Sequence, residues 1–445
     1  MVFDFPGDWR ILAIEECVEA LIDYRGKSPE KTTYGVPLIT AKVVKNGRIV
    51  EPEEYIAADS YDEWMRRGMP LCGDVVMTTE APLGEIAQLD ERKVALAQRL
   101  ITLRGKRRLL DNTYLKYLMQ SEFVQTQLRA RATGTTVLGI RQSELRRVRL
   151  AIPPLVEQRA IANVLNILDK KIDLNHRTNE TLESIARAIF KSWFVDFDPV
   201  RAKADGRRPA GMEAETAALF PSRVQEDGGI PEGWNQQTIC DIATRVSMGP
   251  FGSRITRDNF VSSGVPVIRG NNLTDGFSEG GFVYLTPEKA DDLRSANAFP
   301  GDIVFTHRGT LGQVGLIPQK PAHPRYVVSQ SQMLLSVDPI HVSPHLVYQY
   351  FRSETGQTQL LANTNTTGVP AIARPTTSLK AISIVVPTPK VSTAFERIAS
   401  ALSDKQVSNE RESVLLSALR DALLPKLLSG ELRIRDAEKL VEAHT

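Results

Sequence analysis

The chain has 445 residues, of which 42% are hydrophobic and 24% charged, so it can bury more than one core and is expected to form two or more domains. Its formal net charge of +2 excludes a uniformly basic nucleic-acid binder but leaves local patches open. Three cysteines, Cys17, Cys72 and Cys240, with no CxxC pair and no close histidine cluster, support neither a disulfide framework nor a zinc site; reduced thiols in a cytoplasmic protein are the expectation.

Residues 1–13 carry Asp4, Asp8 and Arg10 among apolar neighbours, without the basic-then-apolar order of a signal peptide, and no apolar run reaches membrane-spanning length. Short Val- and Ile-rich runs punctuated by Gly and Pro follow: GVPLI at 35–39, GDVVMTT at 73–79 and VRLAIPP at 148–154 read as strands. Between them, Asn112 to Arg131 reads as a helix. The stretch from Arg92 to Arg149 holds fourteen Lys or Arg against three acids, a local excess of +11. Such a run is either a solvated face or a phosphate-facing surface, and so lopsided a run in a near-neutral chain favours the second.

After Pro153-Pro154 the pattern changes. Ile161, Leu165, Leu168, Ile172, Asn175, Asn179, Leu182, Ala186, Ile189 and Trp193 follow a 4-3-4-3 spacing, the seam of a coiled coil. A helix over 157–195 would be about 60 Å long, a spacer rather than a core element. Residues 198–234 are then rich in charge, Gly, Pro and Ala, which reads as a linker, and they end in PEGW, resembling the PGDW at 6–9.

From there the chain repeats itself. GVPVIRG at 264–270, GDIVFTH at 301–307 and ISIVVPTP at 382–389 return as strands, with a helix over 344–362 between them. A second seam runs through Ile398, Leu402, Lys405, Asn409, Glu412, Leu416, Leu419 and Leu423 until Pro425 disturbs it and Gly430 ends it. Gly73 maps onto Gly301 with an offset of 228, and Thr133 onto Thr367 with an offset of 234, so each copy is a whole module of mixed α/β structure plus a long helix. A lone heptad stripe cannot bury itself, so the two helices should pack on each other. Asn175 and Asn409, at equivalent seam positions, are placed to set helix–helix register. The segment 429–436 has no structured counterpart after the first helix and is expected to pack beside the helices near the N-terminus.

Catalytic patterns are missing. Gly26-Lys27-Ser28 lacks the glycine a P-loop needs at position 21, where Leu21 stands; the glycines of 309–315 have the wrong spacing for a dinucleotide site; and no HExxH or GxSxG occurs.

FVDFDPVRAKADGRRPAGM at 194–212, SMGPFGSRI at 247–255, GVPVIRGNNL at 264–273 and LRDALLPKLLSGEL at 419–432, in this order and with the duplication, resemble the specificity subunit of Type I restriction–modification enzymes over essentially the whole chain. The resemblance implies two tandem α/β target-recognition domains, 1–152 and 231–388, separated by two long antiparallel coiled-coil helices, 153–197 and 389–430. A linker at 198–230 and a C-terminal tail at 431–445 complete the partition. It implies a non-catalytic chain that reads a bipartite, asymmetric site on double-stranded DNA, binds two methyltransferase subunits and, through them, restriction subunits. It implies no cofactor on this chain, with S-adenosylmethionine, ATP and magnesium on the partner subunits, and no membrane. The first helix opens with LVEQRAIANVL as the family does, whereas the second opens with TAFERIASAL, so the two docking faces are expected to be alike but not identical.

DNA readout would use loop residues, charged ones on phosphates and Arg, Asn, Gln and Thr on base edges. The candidates in copy one are Arg25, Lys27, Thr40, Lys42, Lys45, Thr135, Thr136, Arg141 and Gln142. In copy two they are Arg254, Arg269, Asn271, Asn272, His307, Arg308, Thr310, Asn365, Thr366, Thr367 and Arg374. Taken one at a time, each reads better as a solvated or turn-capping residue than as a base contact. The set draws its weight from lying in equivalent loops. A duplicated protein-docking scaffold without DNA readout is the alternative.

Overall fold

The N-terminal strand Arg10–Ala13 follows Trp9 and pairs antiparallel with Arg149–Ile152, so the segment that opens the first module is hydrogen-bonded to the one that closes it. The second module closes in the same way, Asn235–Thr238 pairing with Ser383–Val386 after Trp234. Both tryptophans are buried. The computed structural model describes residues 5–26, 28–226, 229–365, 367–432, 434, 437, 440 and 441. It divides into two compact units, one joining 1–175 with 411–445 and the other spanning 176–410.

In the first unit, Val18–Asp23, Leu100–Gly105, Val75–Thr78 and Ile86–Gln88 form an antiparallel sheet in that order. In the second, Ala243–Met248, Gln332–Val337, Ile303–Thr306 and Val314–Leu316 form the same sheet in the same order. Each unit adds a smaller mixed sheet. Val36–Ile39 pairs antiparallel with Tyr55–Ile56 and parallel with Ala95–Leu96; Val265–Ile268 does the same with Val283–Leu285 and Tyr326–Val328. The second unit alone extends this sheet with Asn297–Ala298. The GVPLI and GDVVMTT runs and their repeats are thus strands. The central ones, Val75–Thr78 and Ile303–Thr306, are buried throughout, which is why they read as continuous apolar runs rather than alternating ones.

The helix expected over 112–131 is two helices, Asn112–Gln120 and Glu122–Arg131. Ser121 breaks it by taking an extended conformation and accepting a hydrogen bond from the Val124 amide through its side chain. Ser353 breaks the equivalent helix in the same way, between Pro344–Arg352 and Glu354–Leu361. A serine that satisfies the amides of a new helix start competes with continuation of the old one, a choice that apolar periodicity does not reveal.

Two 40-residue helices, Leu155–Phe194 and Pro389–Leu428, carry the seams, and each contributes to both units. In the first unit Ile161, Leu165, Leu168 and Ile172 share a core with Leu416, Leu423 and Leu427. Asp169 meets Arg420 at 3.0 Å and Asn175 meets Glu412 at 2.7 Å, so the segments run antiparallel there. In the second unit Phe190, Trp193 and Phe194 pack with Phe395, and the Asn179 and Gln406 side chains each donate to the other residue's carbonyl at 3.1 Å. Asn409 donates to the Asn179 carboxamide at 2.8 Å, and Asn175 also reaches Ser413 at 3.3 Å. Both register asparagines therefore bond across helices. Lys405, placed in the seam by its spacing, is exposed, and Gln406 holds the contact instead. Polar residues in the middle of the seam leave little apolar pressure to enforce the heptad there, so hydrogen bonding chooses the face.

The segment read as a linker is packed structure. Asp198–Ala204 is a helix, and Val200 and Phe220 are buried among Trp193, Phe194 and Trp234. The two apolar anchors are hidden in a composition dominated by charge, Gly and Ala. At the other end of the chain, Leu432, Ile434, Ala437 and Val441 join the core that contains Phe5 and Trp9. Gly430 makes the turn with a φ of +76, and a side chain there would stand 2.4 Å from Pro6.

Candidate nucleic-acid interface

Each unit has one rim where the candidate loops meet, and the rims are built by matching hydrogen bonds. In the first unit the loop after Val75–Thr78 is tied to the TGTTVLGIRQ loop: the Ile140 amide donates to the Thr79 carbonyl at 3.0 Å and Glu80 bridges Gly139. In the second, the Ile372 amide donates to the His307 carbonyl at 2.9 Å and Arg308 bridges Ala371. A turn after each smaller-sheet strand adds the next stretch of rim. The Val43 amide bonds the Thr40 carbonyl at 3.2 Å, and the Asn272 amide bonds the Arg269 carbonyl at 2.9 Å. Gly134 turns the copy-one loop at φ +116, with the Val137 carbonyl oxygen 2.1 Å from where a Cβ would stand, so only glycine fits.

Of the candidates, Lys42, Lys45, Thr135, Thr136, Arg141, Arg254, Asn271, Arg308, Thr310, Asn365, Thr367 and Arg374 are exposed, while Thr40, Gln142 and Arg269 are half-buried. Arg141 and Arg374 take equivalent places, each immediately preceding a short helix, Gln142–Arg146 or Pro375–Lys380. Lys27 and Thr366 lie outside the described residues.

Three candidates do not face outward as readers. Asn272 is fully buried; its carboxamide accepts the Arg269 amide at 3.0 Å and donates to the Gly280 carbonyl at 2.7 Å, holding the turn in place. His307 is buried, with Nε2 3.2 Å from the Gln330 carbonyl, and burial pushes its imidazole below its ordinary range, so it is neutral at pH 7 and supplies no positive charge. Arg25 is bound to Asp23 at 2.6 Å and donates to the Ile140 carbonyl at 2.9 Å, bracing the TGTTVLGIRQ loop. Short polar residues after a strand serve equally as turn braces or as readers, and only burial separates the two.

The basic stretch is answered in part from outside itself. Arg92 pairs with Glu51 and Asp90, Arg99 with Glu80, Arg104 with Asp74, and Lys116 with Asp169. The +11 read along the sequence is thus lowered by these four pairings but not cancelled. One of these pairs is architectural in both units: the buried carboxylates of Asp74 and Asp302 occupy equivalent positions, Asp74 taking Arg104 at 2.7 Å and Asp302 taking Arg245 at 2.6 Å. At Asp302 burial outweighs the Ser336, Phe299 and Arg245 contacts, and the carboxyl lies above its ordinary range.

In the second unit the rim encloses a concavity of about 320 Å³ lined by Arg269, Arg308, Thr310, Gln313 and Gln330. Its floor is a chain of side chains: Ser329 donates to Gln332, Gln332 to Thr306 at 3.3 Å, and Thr306 to Gln313 at 2.8 Å. Gln330 and Gln313 were not among the candidates, nor was Gln98, the first-unit counterpart of Gln330. The duplicated register held the signal. Leu100 pairs with Thr78 as Gln332 pairs with Thr306, which aligns Gln98 with Gln330 and Glu80 with Arg308.

The helix opening LVEQRAI has an inward role. Gln158 is fully buried, donating to the carbonyls of Leu109 at 2.9 Å and Pro153 at 2.8 Å while accepting the Asp111 amide at 2.9 Å. Ser392 stands at the equivalent place and accepts the Ser343 amide at 2.7 Å. At this one position the difference between the two helix openings is a difference in how each helix is stapled to its own domain.

Residues 6–184 match the family model described as the Type I restriction modification DNA specificity domain. The MjaIX specificity subunit of Methanocaldococcus jannaschii, a Type I restriction enzyme subunit, is 25% identical, covering 97% of this chain and 95% of its own length. The HindI specificity subunit of Haemophilus influenzae is 27% identical over 64% of this chain and 69% of its own length. Among solved structures, the S subunit of a Type I restriction-modification system from M. genitalium superposes with a TM-score of 0.59 at 15% identity, covering 96% of this chain and 99% of that one, and so shares the fold.

Proposed function

We propose that this chain is a specificity subunit of a Type I restriction–modification enzyme, as the matched domain and the relatives support, and that each of its two rims reads one half of a split, asymmetric DNA site. The chain is non-catalytic in this reading; it supplies sequence recognition to methyltransferase subunits that carry S-adenosylmethionine, and through them to restriction subunits that use ATP and magnesium. Two methyltransferase subunits are expected because the long helices are duplicated.

The observation that carries the reading is one rim built twice with different side chains on it. The backbone bonds between the strand-end loop and the long loop match residue for residue, yet Glu80 and Gly139 stand where Arg308 and Ala371 stand. Constant frame and variable rim are what two different half-sites require. A docking scaffold would have no need to pair matched frames with opposite charges at their centres.

Exposed rim arginines and lysines would set position on the phosphates, and Arg, Gln, Asn and Thr groups would meet base edges in the major groove. The test is methylome sequencing of restriction-deficient cells expressing this chain with its cognate methyltransferase subunit, against cells lacking the chain. A split motif that changes in one half when residues 35–153 are exchanged supports the reading. No chain-dependent methylation with a competent partner refutes it in favour of the scaffold.

A further inference from the structure

We propose that the position occupied by Glu80 in the first unit and Arg308 in the second is where the two units discriminate different bases, Arg308 reading a guanine with Gln330 beside it. The proposal rests on the DNA-reading function above and names the residues that decide what each half-site contains.

The two positions are structurally the same place. Each lies two residues beyond the end of a central strand, Val75–Thr78 or Ile303–Thr306, and each forms an isolated β-bridge to the long rim loop, Glu80 to Gly139 and Arg308 to Ala371. Their chemistry is opposite. Arg308 is exposed, and among the described residues its guanidinium has no ion-pair or hydrogen-bond partner; it lines the concavity together with Thr310 and Gln330, whose side chains are also exposed. Glu80 instead holds Arg99 at 3.0 Å, both half in solvent, so the first unit presents a carboxylate already neutralised by its neighbour.

These differences map onto the base edges. An unengaged guanidinium offers a planar fork of donors matched to O6 and N7 of guanine, and a glutamine beside it can both accept from and donate to an adenine edge. A carboxylate is an acceptor only, so it repels the two guanine acceptors and suits the amino group of cytosine or adenine. A phosphate contact would need charge alone. The shared cavity of Arg308, Thr310 and Gln330, with its floor of hydrogen-bonded side chains, offers directional groups instead.

The experiment uses the full chain in its complex with the methyltransferase subunits, in cells and on oligonucleotides in which each base pair of the motif is varied in turn. With Arg308→Ala, discrimination at one G·C pair of one half-site should fall on the order of 10- to 100-fold, with the other half-site unchanged. Gln330→Ala should relax a neighbouring pair of the same half. Arg308→Lys, which keeps the charge but not the fork, should relax the same pair as Arg308→Ala, and this variant decides the matter if the alanine variant loses methylation altogether. A uniform fall in methylation at an unchanged motif with Arg308→Ala, or undiminished discrimination with Arg308→Lys, would overturn the proposal. A wild-type complex that reads no split motif would overturn the DNA-reading function as well, an outcome seen before any variant is made.

Discussion

Replacing Asp169 with asparagine should destabilise the first unit by about 3 kcal/mol and leave the second unchanged. Asp169 lies on the first long helix and accepts from Lys116 at 2.6 Å, Tyr117 at 2.7 Å and Arg420 at 3.0 Å, joining the α/β domain to both long helices. The Lys116 side chain is only 8% exposed. Burial alone would push the Asp169 carboxyl up, but Lys116 and the three hydrogen bonds outweigh it and hold the group below the ordinary carboxylate range. Removing its charge leaves the Lys116 ammonium buried without a counter-charge, a loss of about 3–5 kcal/mol in comparable pairs. Arg420 retains Asp421 at 2.7 Å and adds little, which places the expectation at the lower end. Because a chain of two compact units is not expected to obey a single two-state transition, the readout is hydrogen exchange by mass spectrometry, resolved by peptide. A folded-state pKa below the unfolded one contributes stability that is present above the unfolded value and lost as pH falls through the folded value. The difference between wild type and variant should therefore shrink as the pH drops below about 3.9. A loss under about 1 kcal/mol, or equal loss of protection across 176–410, would refute the assignment of Asp169 as the buried junction.

Gln158→Ala should cost about 1–3 kcal/mol, read as raised exchange in 105–120, because it strands the Asp111 amide and two carbonyls, while affinity for the methyltransferase subunit stays the same. Asn179→Ala should cost about 1 kcal/mol and raise exchange at 176–194 and 398–410, since it removes the bonds to Gln406 and Asn409; no change there would mean that apolar packing alone holds the pair. Gly249→Ala would place a Cβ 1.9 Å from the Ser329 carbonyl oxygen, so it should displace the edge of the second rim and weaken recognition of one half-site only, measured by the methylation rate on substrates carrying each half altered.

The repeated strands, the long helices and the absence of a catalytic pattern were all legible in the order of residues. GVPLI and GVPVI occupy identical places in two sheets because a buried strand has only a run of β-branched residues to record its position. The breaks at Ser121 and Ser353 were not legible, because a serine inside a helical pattern caps or continues depending on neighbours far along the chain. Nor was the packed strap at 198–220, whose two buried anchors are outnumbered by charges.

The candidate interface divides along the same line. Register alone determined which loops correspond, since insertions shift the offset by only a few residues and strand pairing preserves the rest. Which side chains face outward was settled by tertiary structure. Asn271 and Asn272 are adjacent and chemically the same, yet one is exposed and the other bonds Arg269 and Gly280 inside the turn. The charge of the 92–149 stretch was likewise lowered in part by partners such as Asp74, Glu80 and Asp169, which only folding brings within reach. Local order records what a segment can form; burial and charge pairing are properties of contacts between segments distant in sequence, and they exist only once the chain has closed on itself.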